Sequence, residues 1–551
     1  MQTKPLKPLK ILAQSLTLSL IMALFMACDG PEKKLNGPVL HWADYVHYID
    51  SFNTHDNELY IQHIPNAKAA DFLGENIPYI DIPDQILEET YYFRWWTYRK
   101  HIKETEDGFV ITEFLPKVFW SGKHNTINCP AGHHFYEGRW LRDPKYLRDY
   151  GLFWFEAGGD VRKYSFWAAD AIEKLLRNHP DSSYMKRIVP HLRSNLQAWK
   201  SERRDSLETL YYQFDVWDGM EVTVSGELMN GQVIFSYPAL RPTINSYIYG
   251  DLKALSVMEG QLGQTDHAAT LLDEAEKLRH EVITRLWSEK LNHFISLPRH
   301  DSIPVPEVRE LIGYVPWYFH LPPADETHHV AWKQVMDSTG FYAPWGLTTA
   351  EQRHPRFQLN YNQHVCEWNG PVWPFASTQT LKAMANLLKD YNQQTVSKSD
   401  YYHLLQVYAN SHRRTLEDGR VVPWIDENQH PYSGDWIART RLYTDENGQP
   451  REPSIRERGK DYNHSGFCDL IINDLLGVHP ESDNSITIQP LIPEGTWDWF
   501  ALDHIKVKDH ELTVIWDRTG ERYGKGKGFM VWVDGNLAHH SEEVKKVGIN
   551  L

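Results

Sequence analysis

The sequence predicts a mainly α-helical protein, a barrel of paired helices closed by a small antiparallel β-domain. Three observations predict it. Long amphipathic runs follow one another in pairs joined by short turns. The loops between the pairs are dense in Trp, Gly, Pro and acidic residues. From about Asn484 the texture changes, and SITIQPLIP, HIKVKDHELTVIWDR and KGFMVWVDG alternate apolar with polar residues at period two. A solenoid of tetratricopeptide type is the competing helical architecture, but the chain shows no self-similar fixed period.

Taken in order, the amino end reads as an export signal. Lys4, Lys7 and Lys10 precede a short apolar run from Ile11 to Phe25, which ends in Met26, Ala27 and Cys28. The run is too short to span a bilayer comfortably. The expectation is a lipoprotein signal over 1–28 that ends at Cys28, with Cys28 the lipidated first residue of an exported, membrane-anchored chain, periplasmic or surface-exposed. An ordinary cleaved secretory signal is the alternative. No later run is long and apolar enough for a membrane helix, so the membrane is reached only through the N-terminal lipid. A tether and extension are expected over 29–85, the barrel over 86–483 and the β-domain over 484–551.

Helices are expected in HWADYVHYIDSFN and in LEETYYFRWWTYRKHI, the second with acidic residues early and basic ones late, as a helix dipole favours. GFVITEFLP reads as a short strand. SFWAADAIEKLLRN and HLRSNLQAWKSE carry apolar residues on one face, and NSYIYGDLKALSVMEGQLGQ is followed after a tight turn by DHAATLLDEAEKLRHEVITRLW, with Asp266 as its expected N-cap. HFISLP interrupts the helices as a short strand, and WNGPVWPFASTQTLKAMANLLKDY, SDYYHLLQVYANSHRRT and HSGFCDLIINDLLGV complete them.

Composition limits the function. At 551 residues the chain is long enough for one large domain with smaller attachments. A net charge of −16 argues against nucleic acid, which needs a basic surface to replace counterions. Aromatics make up 13% of residues, with 21 Trp, which suits stacking on sugar faces as well as a helix-packed core. Cys129, Cys366 and Cys468 are too widely spaced to form a disulfide framework. His124, Cys129, His133 and His134 match no familiar zinc spacing, and no twelve-residue calcium loop is present, so neither a metal nor another cofactor is expected.

Two loops carry the chemistry. DVWDGMEVTVSGE sets Asp215, Asp218, Glu221 and Glu227 between long helical runs, and VVPWIDENQHPYSGDW places Asp426 and Glu427 in another Pro/Gly/Asn-punctuated loop some two hundred residues later. Two carboxyls facing one pocket suit glycoside hydrolysis, with Glu221 as general acid and Glu427 as general base. The inverting form holds the two about 6.5–9.5 Å apart to admit a water. Apolar Trp217, Met220 and Val222 and the nearby charge of Asp218 would raise the acid's pKa, while Asn428 and Gln429 offer the base polar surroundings. Asp218 before Gly219 also suits a plain turn, and Asp426 a cap or ion pair.

WNGPVWPF at 368–375, IDENQHPYSGDW at 425–436, DGMEVTVSG at 218–226 and the run ERGKDYNHSGFCDL together resemble the clan of inverting (α/α)6-barrel glycosidases, most nearly the mannosylglycerate hydrolase-like and family 63 enzymes. The resemblance implies an (α/α)6 toroid and hydrolysis of an α-linked glycoside with inversion. It places Glu221 where the clan usually has Asp in a Ser-Gly-x-Asp-Asn-Ser motif. It places Glu427 as the base of a Glu-Asn-x-Asn-Pro-x-Thr-Gly motif, matched at Glu427, Asn428, Pro431 and Gly434 with His430 and Ser433 as departures. It further implies sugar contacts at Arg139, Trp140 and Asp143 and at Glu367, Trp368 and Trp373, while Tyr462, His464 and Trp345 are candidate wall residues and Asp218 a further candidate for substrate contact. A glycan-binding lipoprotein without catalysis and a phosphorylase on the same barrel are the alternatives. The partner in each case is a carbohydrate.

Overall fold

The computed structural model describes residues 34–551 apart from 36, 206–208, 231–236, 301, 325–326 and 360–363. The export segment with Cys28, and the first residues of the tether, lie outside the described residues. Helices α1 (Val46–Thr54) and α2 (Ala69–Asn76) come first, and strand β1 (Tyr79–Asp81) leads into α3 (Gln85–His101). Asp84 starts α3 by accepting the backbone N–H groups of Ile86 and Leu87, and Arg99, Lys100 and His101 lie in its last turn. A hairpin of β2 (Ile102–Thr105) and β3 (Gly108–Ile111) follows. The remaining long helices are α4 (Ala131–Gly138), α5 (Lys145–Glu156), α6 (Ala168–Asn178), α7 (Ser182–Arg203), α8 (Pro242–Gln261), α9 (Thr265–Glu281), α10 (Pro374–Asp390) and α11 (Lys398–Ser411).

Burial sorts these helices into two rings except for α3, an outer helix that α1 and α2 cover, so that it too is buried along most of its length. Almost every side chain of α4, α6, α8 and α10 is buried, as are Leu311–Tyr318 and the π-helix Leu470–Leu475. By contrast α9 buries only Leu271, Ala275 and Leu278, and α5, α7 and α11 likewise bury one side. Among the described residues, outer and inner helices alternate along the chain as α3/α4, α5/α6, α7/α8, α9 with 311–318, 328–334 with α10, and α11 with 470–475. This is the (α/α)6 toroid. An inner helix is covered on nearly all sides, so a polar face need not show in its sequence, although α6 keeps the apolar face read there.

Three local expectations change. Asp266 lies inside the first turn of α9, whose N-cap is Gln264 and makes no side-chain bond. HFISLP divides into His293–Phe294 and Leu297–Pro298, which pair in different sheets. His464 sits in a loop and the helix starts only at Cys468, so the two do not share a helical face.

The closing β-domain contains β4 (Val478–Pro480), β5 (Ser485–Ile488), β6 (Trp499–Val507), β7 (His510–Asp517), β8 (Gly528–Val533), β9 (Asn536–Ser541) and β10 (Val547–Asn550). Strands β4, β5 and β10 form one antiparallel sheet, and a five-stranded sheet runs β1-β6-β7-β8-β9. Its edge strand β1 comes from ahead of the barrel, with Tyr79 opposite Asp503. The carboxylate of Asp503 also accepts the backbone N–H groups of Val39 and Leu40.

The C-terminal ends of the inner helices face this domain across a cavity of about 360 Å³ lined by Arg139, Lys382, Lys389, Asn473 and His479 among others. Arg139 donates to Asp469 at 2.6 Å, the Trp140 indole N–H donates to the same carboxylate at 2.7 Å, and Lys382 reaches it at 3.4 Å. Asp143 is exposed and accepts the backbone N–H of Lys145 in a turn. The expected sugar grip of Arg139, Trp140 and Asp143 is therefore corrected. Two of these side chains are buried donors to a structural carboxylate, and the third shapes the surface next to the β-domain.

Asp469→Ala leaves the buried Arg139 and Lys382 short of their counter-charge, a loss of about 3–5 kcal/mol. The expected readout is a lower denaturant midpoint with catalytic turnover unchanged in the fraction that remains folded.

Candidate active site

The site is built from loops that precede the N-terminal ends of the inner helices. Ahead of α8, residues 216–218 form one 3-10 turn that ends on Gly219, at φ 72°. A Cβ at Gly219 would lie 2.4 Å from the Cys129 sulfur, so this turn requires glycine. Arg241, fully buried at the start of α8, donates to Asp215 at 2.6 Å and to Asp218 at 2.6 Å. Ser165 and Thr243 donate to Asp218 as well, and the Thr223 hydroxyl donates to Asp215. Asp218, expected to touch substrate, is thus committed to its own loop and acts as an anchor.

Glu221 is stretched between these anchors. Its carbonyl and that of Val222 accept the Trp368 N–H at 3.0 and 3.3 Å, and Val222 sits at φ 58°, a strained conformation for a β-branched residue. The loop therefore presents the Glu221 side chain, half-buried, in one orientation. Burial, reinforced by the charges of Glu427 and Asp215 and opposed by its own backbone N–H and Arg458, pushes Glu221 up to about 7.

The second loop follows α11. Gln429 and Val372 exchange backbone hydrogen bonds at 2.9 and 3.0 Å, which ties 425–436 to the Trp-rich segment ahead of α10. Glu427 is 1% exposed, and one of its oxygens accepts from Arg458 Nε at 2.8 Å and Nη2 at 2.7 Å. The other oxygen accepts the Cys366 thiol at 3.0 Å. Burial and the Glu427 charge raise the Cys366 pKa well above that of an ordinary thiol, so it stays a donor. Gly459, next to Arg458, lets this arrangement close, because a Cβ there would fall 1.9 Å from Asp426 Oδ1. Asp426 caps the Glu427 N–H at 2.9 Å, and burial with the Glu427 charge pushes it up to about 7.

A third carboxyl, Glu113, belongs to the same cluster, and sequence reasoning missed it. It follows the hairpin that precedes α4 and accepts the Tyr462 hydroxyl at 2.5 Å. Burial pushes it up to about 8, with Glu427 and Glu221 adding and the Tyr462 bond and Arg458 opposing. Arg458 and Cys366 were missed as well. Arg458 stands within the quoted ERGKDYN run, but nothing local marks it as the partner of a residue thirty positions earlier.

Aromatics wall the cluster. Trp368 and Trp373 stack with ring centres 4.6 Å apart, and Trp373 donates its indole N–H to the Glu367 carbonyl. Glu367 is 1% exposed and accepts the His364 N–H at 3.0 Å. Tyr462 and His464 lie ring to ring, 3.9 Å between centres, and the Trp373 ring is 5.8 Å from that of His464. Trp345 packs against Gly434 and its backbone N–H donates to the Pro431 carbonyl, so it supports the Glu427 loop. Arg458 lies 5.1 Å from the Trp120 ring and 5.9 Å from that of Phe114.

His133 and His134 have separate packing partners. His134 bonds the Asn463 carbonyl and the Tyr150 hydroxyl, and His133 packs against Trp167 and Phe375. Among the described residues, Glu106, Asp107 and His124 come close enough to share an ion, and Lys123 already pairs with Asp107 there. Cys129, Cys366 and Cys468 are free thiols.

The profile of the mannosylglycerate hydrolase MGH1-like glycoside hydrolase domain matches residues 123–465, and that of the glycosyl hydrolase family 65 C-terminal domain matches 481–540. Among solved structures, a protein described as a sialidase is 40% identical over 93% of this chain, with a TM-score of 0.83. The chain spans 45% of that protein's length. A family 78 rhamnosidase of Bacillus sp. GL1 shares the fold at 11% identity and TM-score 0.50, over 80% of this chain and 40% of that one. The family 63 mannosylglycerate hydrolase of Thermus thermophilus, in complex with glucose, aligns at 12% identity and TM-score 0.48 over 70% of this chain and 99% of its own. Because its profile covers more than half of the sequence and the motif-bearing loops fall within it, this chain belongs to the mannosylglycerate hydrolase MGH1-like glycoside hydrolase family.

Proposed function

We propose that the protein hydrolyses an α-linked glycoside or oligosaccharide with inversion, Glu221 protonating the leaving oxygen and Glu427 drawing the proton from an attacking water. The observation that carries this reading is the contrast between two carboxyls that feel each other's charge. Glu221 is pushed up to about 7 mainly by burial, whereas Glu427 forms an ion pair with Arg458 and accepts the Cys366 thiol. A general acid must hold its proton near neutral pH, and a base working in its charged form benefits from a cation alongside. The α-linkage and inversion follow the clan resemblance of the Glu427 motif.

A panel of 4-nitrophenyl glycosides and oligosaccharides, with the product anomer followed by NMR from the first turnover, tests this reading. The expected product is the opposite anomer, released without phosphate. Phosphate-dependent release would indicate a phosphorylase instead, and binding without turnover would indicate a glycan receptor. Glu221→Gln and Glu427→Gln are each expected to lower kcat by on the order of 10²–10⁴-fold with the fold intact by circular dichroism.

The pH dependence has a definite sign. Glu221 is raised above the ordinary carboxylate value, so its acid form is present below about 7 and is lost as pH rises through that value. The alkaline limb of kcat/KM is therefore expected near 7. A limb near pH 4 to 5 would remove Glu221 from the acid role.

A further inference from the structure

Buried polar groups nearly always find hydrogen-bond partners, so those that lack one next to a cleft indicate where a ligand is held. One such group, Glu113, 6% exposed, stands beside the acid pair. Next to it the ring of His464, 2% exposed, meets the Glu427 backbone as its polar neighbour and packs against Tyr462. Glu113 takes the Tyr462 hydroxyl on one oxygen, and among the described residues its second oxygen takes nothing.

The side chains are fixed rather than free to turn away. Tyr462 is wedged between the rings of His464 and Phe114, at 3.9 and 4.7 Å between centres. Its segment is tied down on both sides, since the Asn463 N–H donates to the Glu113 carbonyl at 3.1 Å and Asn463 Nδ2 donates to the Thr112 carbonyl at 3.3 Å. Asp461, held at φ 58°, accepts Lys100 on its carboxylate and His101 on its carbonyl. Burial costs so much here only because the site is rigid, and a rigid carboxyl with one open oxygen is a recognition group.

We propose that Glu113 is a further substrate-contacting residue, its free oxygen hydrogen-bonding one ring hydroxyl of the sugar held between Glu221 and Glu427, with Tyr462 as the residue that positions it. The inference rests on the reading of those two residues only for where the sugar lies. Carrying its own proton at neutral pH, Glu113 donates to the hydroxyl oxygen, and an amide in its place preserves a donor.

The test uses the full chain, 4-nitrophenyl glycosides with their single-deoxy analogues, and calorimetry with the matching free sugars. Glu113→Ala is expected to lower kcat/KM by about 10–100-fold, the loss of one buried hydrogen bond, and Glu113→Gln to recover most of it. The decisive reading is the cycle between protein and sugar. One deoxy position should penalise the wild type, and the alanine variant should show no further penalty at that position. Tyr462→Phe should weaken the same coupling without abolishing it. An unchanged deoxy penalty in Glu113→Ala, or in Glu113→Leu should the alanine variant not fold, overturns the contact and leaves a packing role. If Glu221→Gln and Glu427→Gln keep full turnover while the cycle couples, the catalytic assignment fails and the Glu113 contact stands. If the wild type binds a sugar without cleaving it, calorimetry reads the same cycle. If it neither binds nor cleaves any, both proposals fall.

Discussion

The site depends on one buried cation. Arg241 is fully enclosed, and its guanidinium bridges Asp215 and Asp218 on either side of the turn that leads to Glu221. Burying three charges is costly, and such a network holds only when each member is matched in geometry and hydrogen-bonded, as these are through Ser165, Thr223 and Thr243. What the network provides is position. It fixes both ends of a loop containing a strained Val222, and it occupies the two nearer acids so that only Glu221 is left facing the neighbouring loops. Arg241 also raises no barrier to protonation of Glu221, because its charge is neutralised by the pair it holds.

The two ends of the barrel divide the work. Loops ahead of the inner helices bring together Glu113, Glu221, Glu427 and Arg458, residues drawn from four separate stretches of chain. The opposite ends carry saturated ion pairs, in which Lys389 donates to Asp474 at 2.6 Å and Lys382 joins Asp469 to Asp474. These groups have their partners already and suit holding the β-domain in place. The Trp content is divided in the same way. Trp95, Trp167, Trp199, Trp317 and Trp332 are packed in the core, while Trp368 and Trp373 wall the acid cluster.

What was legible in the sequence follows from how local its cause is. The helix pairs were visible because outer helices such as α7 and α9 bury a single face, and the β-domain because its strands alternate. The two loops bearing Glu221 and Glu427 were visible because motifs of turn residues and acids are contiguous. Glu113 was not, since a single Glu after a β-branched run reads as a strand end, and its meaning comes from Tyr462 some 350 positions later. Arg139, Trp140 and Asp143 fail for the converse reason. Their residue types suit a sugar, but Asp469, supplied by a distant helix, claims two of them. Asp218 and Glu221 stand three apart with the same chemistry, and the position of Arg241 is what makes Asp218 an anchor and leaves Glu221 as the proposed acid.

Charge and burial favour the proposed roles within the acid pair. Three carboxyls sharing one cluster cannot all ionise cheaply, so their protons belong to the group and are apportioned by the cations and donors each one meets. Arg458 lies against Glu427 on two nitrogens, and its influence on Glu221 and Glu113 is only that of a more distant charge, outweighed by their burial. Exchanging the proposed roles would place the guanidinium and the thiol donor beside the acid, and would need Glu221, raised mainly by burial, to ionise facing the charge of Glu427. Both steps run against the field of the site. On the proposed roles, the direction of proton flow, from water toward Glu427 and from Glu221 toward the departing oxygen, follows from which loop Arg458 is folded against.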